Sequence, residues 1–300
     1  MVLMVNFSEK ISLEGLKIFN SLFSIYKPPF TTVKSVKTSI LHNICANQKI
    51  LPARPIRNIL SINSNNVKHS QIIQDYSDHP LVVGPRYIPK EIILENANYL
   101  NFKTSGVLVF SFENGLKKLR LLNKTNPISV YRLKCRLGIR MNESSIINRI
   151  KGKYQTDHID QNRIEKVISN IESTSRTWLI RFANIDIQSM ECFNLYSTGN
   201  ISKLKSKTNE ALIIHVRCIS FDNPFFEIEL SNINSEIKHI QEFIQILGKQ
   251  IRCFVGLDSI RCIRYGEITA DMSLPKTHNQ WNLENIMINM KEIEEKCAPQ

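Results

Sequence analysis

Residues 129–141, "SVYRLKCRLGIRM", put Tyr131, Leu133, Cys135, Leu137 and Ile139 on one side and Arg132, Lys134, Arg136 and Arg140 on the other. A period of two is the signature of a β-strand with one face in a core. The opposite face then carries four cations, and like charges two residues apart repel. Such a face is either a solvated edge or a surface that meets an anion, and this segment leaves both readings open. The whole chain leans the same way. Thirty-nine Lys and Arg against 27 Asp and Glu give a formal charge of +12, spread through "KSVK", "LKKLR" and "KLKSK" and not gathered in a tail. That distribution favours a polyanionic partner and makes nucleic acid the first candidate.

Three hundred residues at 42% hydrophobic suffice for one large domain or two modest ones. Seven cysteines, odd in number and without a C-x-x-C pair, argue against a disulfide scaffold or a zinc site and for a reducing compartment. No metal and no cofactor is expected. The longest apolar runs are cut by Lys, Asn or Glu well short of the ~18 residues that cross a bilayer. The N-terminus has no secretory core, and Glu9 comes early for a transit peptide.

Along the chain, "LFSIYKPPF" reads as a strand entering a helix through a Pro-Pro turn. In the helix Val33, Val36, Ile40, Leu41 and Ile44 recur at helical spacing, and Thr31 or Thr32 is in place to cap it. Residues 46–78 read as a long excursion with one short strand. "SGVLVFSF", bounded by glycines, fits an interior strand, and "GLKKLRLLN" a short helix. "WLIRFANIDIQSMECFNLY" reads as two strands, and "ALIIHVRCISF" and "FFEIELS" as two more around a "DNP" turn. "SEIKHIQEFIQILGKQI" is an amphipathic helix with Ser235 as N-cap and Gly248 as its stop, followed by the strand and turn "IRCIRYGEIT" and a last helix in "QWNLENIMINMKEIEEK". Strands outnumber helices and are joined by short loops, so the expected fold is α+β, a large, mostly antiparallel mixed sheet flanked by helices. The stretch "LNFKTSGVLVF" sets Asn101 in a polar turn just ahead of the buried strand.

In order and spacing, these segments resemble the TruB-type pseudouridine synthases, and most closely their mitochondrial branch in animals. "LFSIYKPPF" resembles the opening motif, with Lys27 and Pro28 matching and Phe30 in place of the usual glycine. "HPLVVGP" at 79–85 is similar to a segment of the mitochondrial branch. "LNFKTSGVLVF" resembles the catalytic motif, "VYRLKCRLG" the tyrosine strand and "IRCIRYGEIT" the Arg-rich strand and glycine turn, while "QWNLENI" matches near the C-terminus. The resemblance runs from about residue 16 to 290, which leaves 1–15 as an N-terminal extension and makes 16–300 one pseudouridine synthase-like domain. It implies that family's eight-stranded, largely antiparallel fold, without the C-terminal RNA-binding module of bacterial members.

The chemistry implied is isomerisation of a flipped uridine, stacked on a tyrosine and attacked by one aspartate that an arginine holds ionised. Carried over, the nucleophile's position is Asn101, the arginine's is Gln241 and the stacking tyrosine's is Tyr131. The Gly-His ahead of the nucleophile becomes Ala97-Asn98, and the tyrosine's lysine neighbour becomes Ser129. An amide is uncharged and its lone pairs are delocalised, so the expectation is weak or lost isomerase activity. Asn101 and Gln241 would form a neutral, hydrogen-bonding replacement for the ion pair. Substrate contacts are expected from Tyr131, Asn98, Gln241 and Lys27, and RNA contacts from Arg132, Lys134, Arg136, Arg140 and Arg261. The alternative is an active synthase with a displaced carboxylate, Glu95. The implied setting is mitochondrial, with messenger or ribosomal RNA as partner, protein partners in an RNA assembly, and a monomeric chain.

Overall fold

A computed structural model describes residues 20–46, 57–62, 70–76, 82, 89, 92–141, 150–153, 155–182, 185–198, 212–233, 236–276 and 281–297. The proposed extension at 1–15 and most of the "HPLVVGP" segment lie outside the described residues.

Strand β1 (Leu22–Lys27) leads into helix α1 (Val33–Ala46), where the Thr32 hydroxyl accepts the Ser35 N–H at 3.1 Å and so caps the first turn. The excursion that follows holds two strands where one is expected, β2 (Arg57–Ile62) and β3 (Ser70–Asp75), paired with each other in an antiparallel hairpin. Their alternation is too short and too interrupted by Asn and Ser to stand out. Strand β4 (Leu94–Asn96) pairs with β5 (Thr104–Phe112), all nine of whose residues are buried. Helix α2 (Leu116–Lys124) then leads to β6 (Ser129–Leu137).

The alternating segment does not continue to Met141 as one strand. Gly138, at φ 72°, turns the chain, and Ile139–Met141 (β7) pairs instead with β8 (Ile150–Lys153) in a separate two-stranded sheet. Arg140 therefore leaves the row formed by Arg132, Lys134 and Arg136.

The two strands expected between Trp178 and Tyr196 are helical. Helix α3 (Gln161–Phe182) begins where the Asp160 carboxylate accepts the Arg163 N–H, and buries Ile164, Ile168 and Ile171 at four- and three-residue spacing and Leu179 eight residues further on. "WLI" is the last turn of that stripe, and a short window centred on it hides the longer period. Helix α4 (Met190–Ser197) is started by Ser189, whose hydroxyl accepts the Cys192 N–H.

Strands β9 (Leu212–Asp222) and β10 (Phe225–Ile233) form the expected hairpin around Asn223 and Pro224. Helix α5 (Ile237–Ile251) is capped by Glu236, and it runs three residues past Gly248 to end at Arg252 in the left-handed conformation. Gly248 is thus internal to the helix, and glycine suits it because a Cβ there would sit 2.9 Å from the Cys253 carbonyl oxygen. Strand β11 (Val255–Tyr265) turns through Gly266 into β12 (Ile268–Thr269), and helix α6 (Leu283–Lys296), capped by Asn282, packs on β1.

Eight of these strands join in one mixed sheet in the order β1-β5-β11-β6-β10-β9, with β4 beside β5 and β12 beside β11. Every pair is antiparallel except β5 with β11. The α+β fold with a largely antiparallel sheet is therefore as expected. Phe23 stacks on Phe110 and Phe112 at 5.7 and 5.2 Å in the core, and Ile240, Phe243, Ile244 and Leu247 of α5 join the same core cluster.

The parallel pairing constrains one residue tightly. Gly106 lies opposite Cys262 at φ 118°, and a Cβ on it would fall 2.0 Å from the Cys262 carbonyl oxygen. Gly106→Ala should therefore lower stability by more than about 2 kcal/mol in denaturant titration, through overlap and left-handed strain together.

Candidate functional site

The turn between β4 and β5 is built around Asn101. Its side-chain Oδ1 accepts two hydrogen bonds from one residue, the Thr104 N–H at 2.9 Å and the Thr104 hydroxyl at 2.7 Å. The Asn101 carbonyl also accepts the Thr104 N–H at 3.3 Å. An Asx-type turn of this kind is what a short side chain with an acceptor three bonds from Cα forms. Behind it, Lys27 is fully buried; its Nζ donates to the Thr104 carbonyl at 2.6 Å and to the Pro28 carbonyl at 3.2 Å. Burial lowers its pKa to about 8. Lys27 thus braces the turn from below and does not line the cleft.

In front of the turn lies a cleft of about 400 Å³, within the range of ~300–1,000 Å³ typical of small-molecule sites. Asn98, Asn101, Asn123 and Asn126 supply amides, Ser129 and Thr104 hydroxyls, and Tyr99, Tyr131 and Tyr265 rings; Ile237 and Ile240 of α5 close one side. Tyr131 is 6% exposed, sits between Cys262 and Leu230 on the neighbouring strands, and is part of the cleft lining. Asn98 is committed to the sheet: its amide donates to the Val107 carbonyl at 2.9 Å and accepts the Val109 N–H at 3.1 Å, continuing the β4–β5 ladder by one rung.

Of the predicted site residues, Asn101, Asn98 and Tyr131 come together on the cleft wall. Gln241 does not. It is half-buried one position beyond Ile240, and Asn101 is bonded to Thr104, not to it. The expected Asn101–Gln241 pair is therefore not formed, because the helix turns Ile237 and Ile240, and not Gln241, to the cleft lining. Glu95, the expected displaced carboxylate, lies exposed on β4 opposite Ser111 and away from the cleft lining.

The ionisable acid that does line the cleft is Glu236, which sequence reasoning passed over in favour of Ser235 as N-cap. Its carboxylate sits at the rim, 69% exposed, and Lys238 at 3.0 Å holds its pKa below the usual carboxylate range. The signal that could have found it was the capping box it forms with His239 three residues on.

The cations of β6 face the other way. Tyr131 belongs to the cleft side of the sheet, so Arg132, Lys134 and Arg136 belong to the opposite side, where Arg261 stands directly across from Arg132. There Glu229 meets Arg217 at 2.8 Å and Arg132 at 3.7 Å, Glu227 lies opposite Lys134, and Arg136 covers the Phe225 ring. Arg261 lies over the Tyr26 ring at 5.2 Å. These residues form one cationic surface with two carboxylates set among them, on the reverse of the sheet from the cleft.

Residues 98–235 match the family profile of the TruB family pseudouridylate synthase N-terminal domain. This chain is a relative of the TruB-type pseudouridine synthases. It is 25% identical to the mitochondrial pseudouridylate synthase TRUB2 of Xenopus tropicalis, over 92% of this chain and 86% of that protein. The human TRUB2 is 24% identical over 91% and 83%. The tRNA pseudouridine synthase B of Parabacteroides distasonis is 22% identical over 68% and 84%. Among solved structures, the archaeal box H/ACA sRNP Nop10-Cbf5 complex superposes with a TM-score of 0.49 at 10% identity, covering 94% of this chain and 61% of that chain.

Two outcomes test the turn. Asn101→Ala removes both bonds to Thr104 and should lower stability by about 1–3 kcal/mol, whereas Asn101→Asp keeps the acceptor and should not. Lys27 has a native pKa below its unfolded value, so the unfolded state binds the extra proton and stability rises as pH climbs past about 8. The stability difference between wild type and Lys27→Met, measured by denaturation at neutral and alkaline pH, should therefore shift in favour of wild type as pH rises.

Proposed function

We propose that this TruB-type homologue is a mitochondrial RNA-binding protein whose cleft receives a uridine without isomerising it. The observation that carries the reading is the state of Asn101. At the position matching the family's nucleophile stands a neutral amide whose oxygen is occupied by two hydrogen bonds from Thr104. Breaking the bond between ribose and base needs an activated anion at that place, and an amide fixed as an acceptor supplies none. What the cleft retains is recognition. Amides and hydroxyls complement the alternating donor and acceptor edge of a uracil, and Tyr131 offers a ring on which a base can stack.

The net charge of +12 supports RNA as the partner, and the mitochondrial relatives support the compartment. Messenger and ribosomal RNA are both compatible with a site that reads one flipped base. With a catalytic residue missing, the chain would serve as a scaffold or chaperone for the RNA, acting as a monomer within a larger assembly.

A second reading, a working synthase with a displaced carboxylate, has one observation in its favour: Glu236 lines the cleft. Its exposure at the rim weighs against it, because a solvated carboxylate is not held in place against a base seated in the cleft.

Purified protein should bind uridine-rich RNA with an affinity that falls steeply as salt rises, and the RNA recovered should contain no pseudouridine. Stoichiometric product from wild-type protein overturns the proposal. If that product then disappears in Glu236→Gln, the displaced carboxylate is identified.

A further inference from the structure

The turn that carries Asn101 presents aromatic rings to water. Tyr99, two residues before Asn101, lines the cleft yet is 74% exposed, and Phe102, the residue after it, is 39% exposed. A third ring comes from the turn between β1 and α1. Phe30 is 65% exposed, and its ring meets that of Phe102 edge-on at 5.8 Å. The two turns are pinned together, since the Phe30 N–H donates to the Phe102 carbonyl at 2.7 Å. The turn that carries Asn101 therefore has Tyr99 in the cleft on one side of that residue and the Phe102–Phe30 ring pair on the other.

Phe30 has no local reason to be phenylalanine. Its φ is 59°, in the left-handed region that glycine occupies freely and a bulky side chain resists. The ring recovers little by burial, because its described ring contact is the single edge of Phe102 and two thirds of the residue faces water. A strained backbone that holds an exposed ring beside a cleft is accounted for by something that covers the ring.

The charged neighbours say what kind of cover. Lys103 follows Phe102 directly, and Lys34 stands exposed on the first turn of α1, four residues after Phe30. Among the described residues that line the cleft the carboxylate is that of Glu236, and it is already paired with Lys238. Aromatic rings interleaved with lysines, continuous with a pocket for a single base, are the pattern of a single-stranded nucleic-acid track.

We propose that Phe30, Phe102 and Tyr99 form a stacking platform for the unpaired bases of RNA that flank the nucleotide held in the cleft. The proposal rests on the RNA-binding function above and adds to it a specific requirement. The RNA must be single-stranded next to the target, and it must be held there by its bases as well as by its phosphates.

The test compares binding of a short uridine-rich oligoribonucleotide with that of an abasic oligomer of the same length, which keeps every phosphate and lacks every base. Wild-type protein should prefer the base-containing oligomer by about 10-fold or more. Phe30→Gly and Phe102→Ala should each reduce that preference by about 5-fold, while affinity for the abasic oligomer stays unchanged. The melting temperature of Phe30→Gly should be equal to or above that of wild type, since glycine suits a φ of 59°.

Tight, salt-dependent binding of both oligomers with equal affinity would overturn the platform and leave the RNA-binding function standing. Binding of neither would remove both. A lower melting temperature in Phe30→Gly with the preference intact would make the ring a packing element. Self-association of wild type that Phe30→Gly abolishes would assign the surface to a second copy of the chain.

Discussion

Thr104 holds the site together. It opens the buried strand β5, and its N–H and hydroxyl both reach the Asn101 side chain while its carbonyl takes a hydrogen from the buried Lys27. Each such bond contributes about 1 kcal/mol net, but their joint effect is positional. The strand cannot shift without moving the turn, and the turn cannot open without stranding a buried ammonium. With the Asn101 oxygen taken in this way, its amide nitrogen is what remains for a ligand, and a nitrogen donor recognises and does not attack. The turn thus carries a neutral amide, already bonded to Thr104, at the position that the resemblance matches to the family's nucleophile.

The same sheet that carries this turn also separates two surfaces that look like one in the sequence. Alternation along β6 sends Tyr131 to the cleft and Arg132, Lys134 and Arg136 to the reverse face, where Glu227 and Glu229 of β10 stand among them. Partly solvated pairs of this sort contribute little to stability, so the carboxylates chiefly temper repulsion between arginines that face one another across β6 and β11. The cleft itself is nearly neutral. Its lining is amides, hydroxyls and rings, and the cationic side chains of β6 and β11 lie on the reverse of the sheet.

What the sequence made legible was whatever repeats or matches. The strands β1, β5, β6, β10 and β11, the helices α1, α5 and α6, and the register that places Asn101 just before β5 all follow from short periodic runs and turn residues. What escaped depended on longer or non-local information. Helix α3 was hidden because its stripe of Ile164, Ile168, Ile171 and Leu179 spans four turns and ends in an apolar triplet that imitates a strand. The reach of β6 was overestimated because Gly138 reads as one more alternation until its left-handed φ turns the chain. The resemblance assigns Gln241 to the arginine's place, yet the helix turns Ile237 and Ile240 to the cleft instead, and Glu236 enters it from the cap. A residue number fixes position along a helix, while the face it lands on is set by packing.

The central claim is that the cleft is intact and lacks only a carboxylate at position 101. It is tested most directly by the pseudouridine content of uridine-rich RNA after incubation with wild-type protein, with Asn101→Asp, and with Asn101→Asp combined with Gln241→Arg. The account predicts none from wild type and measurable product once the carboxylate is present. Product from the wild-type protein at a level equal to that of the carboxylate variants would contradict it.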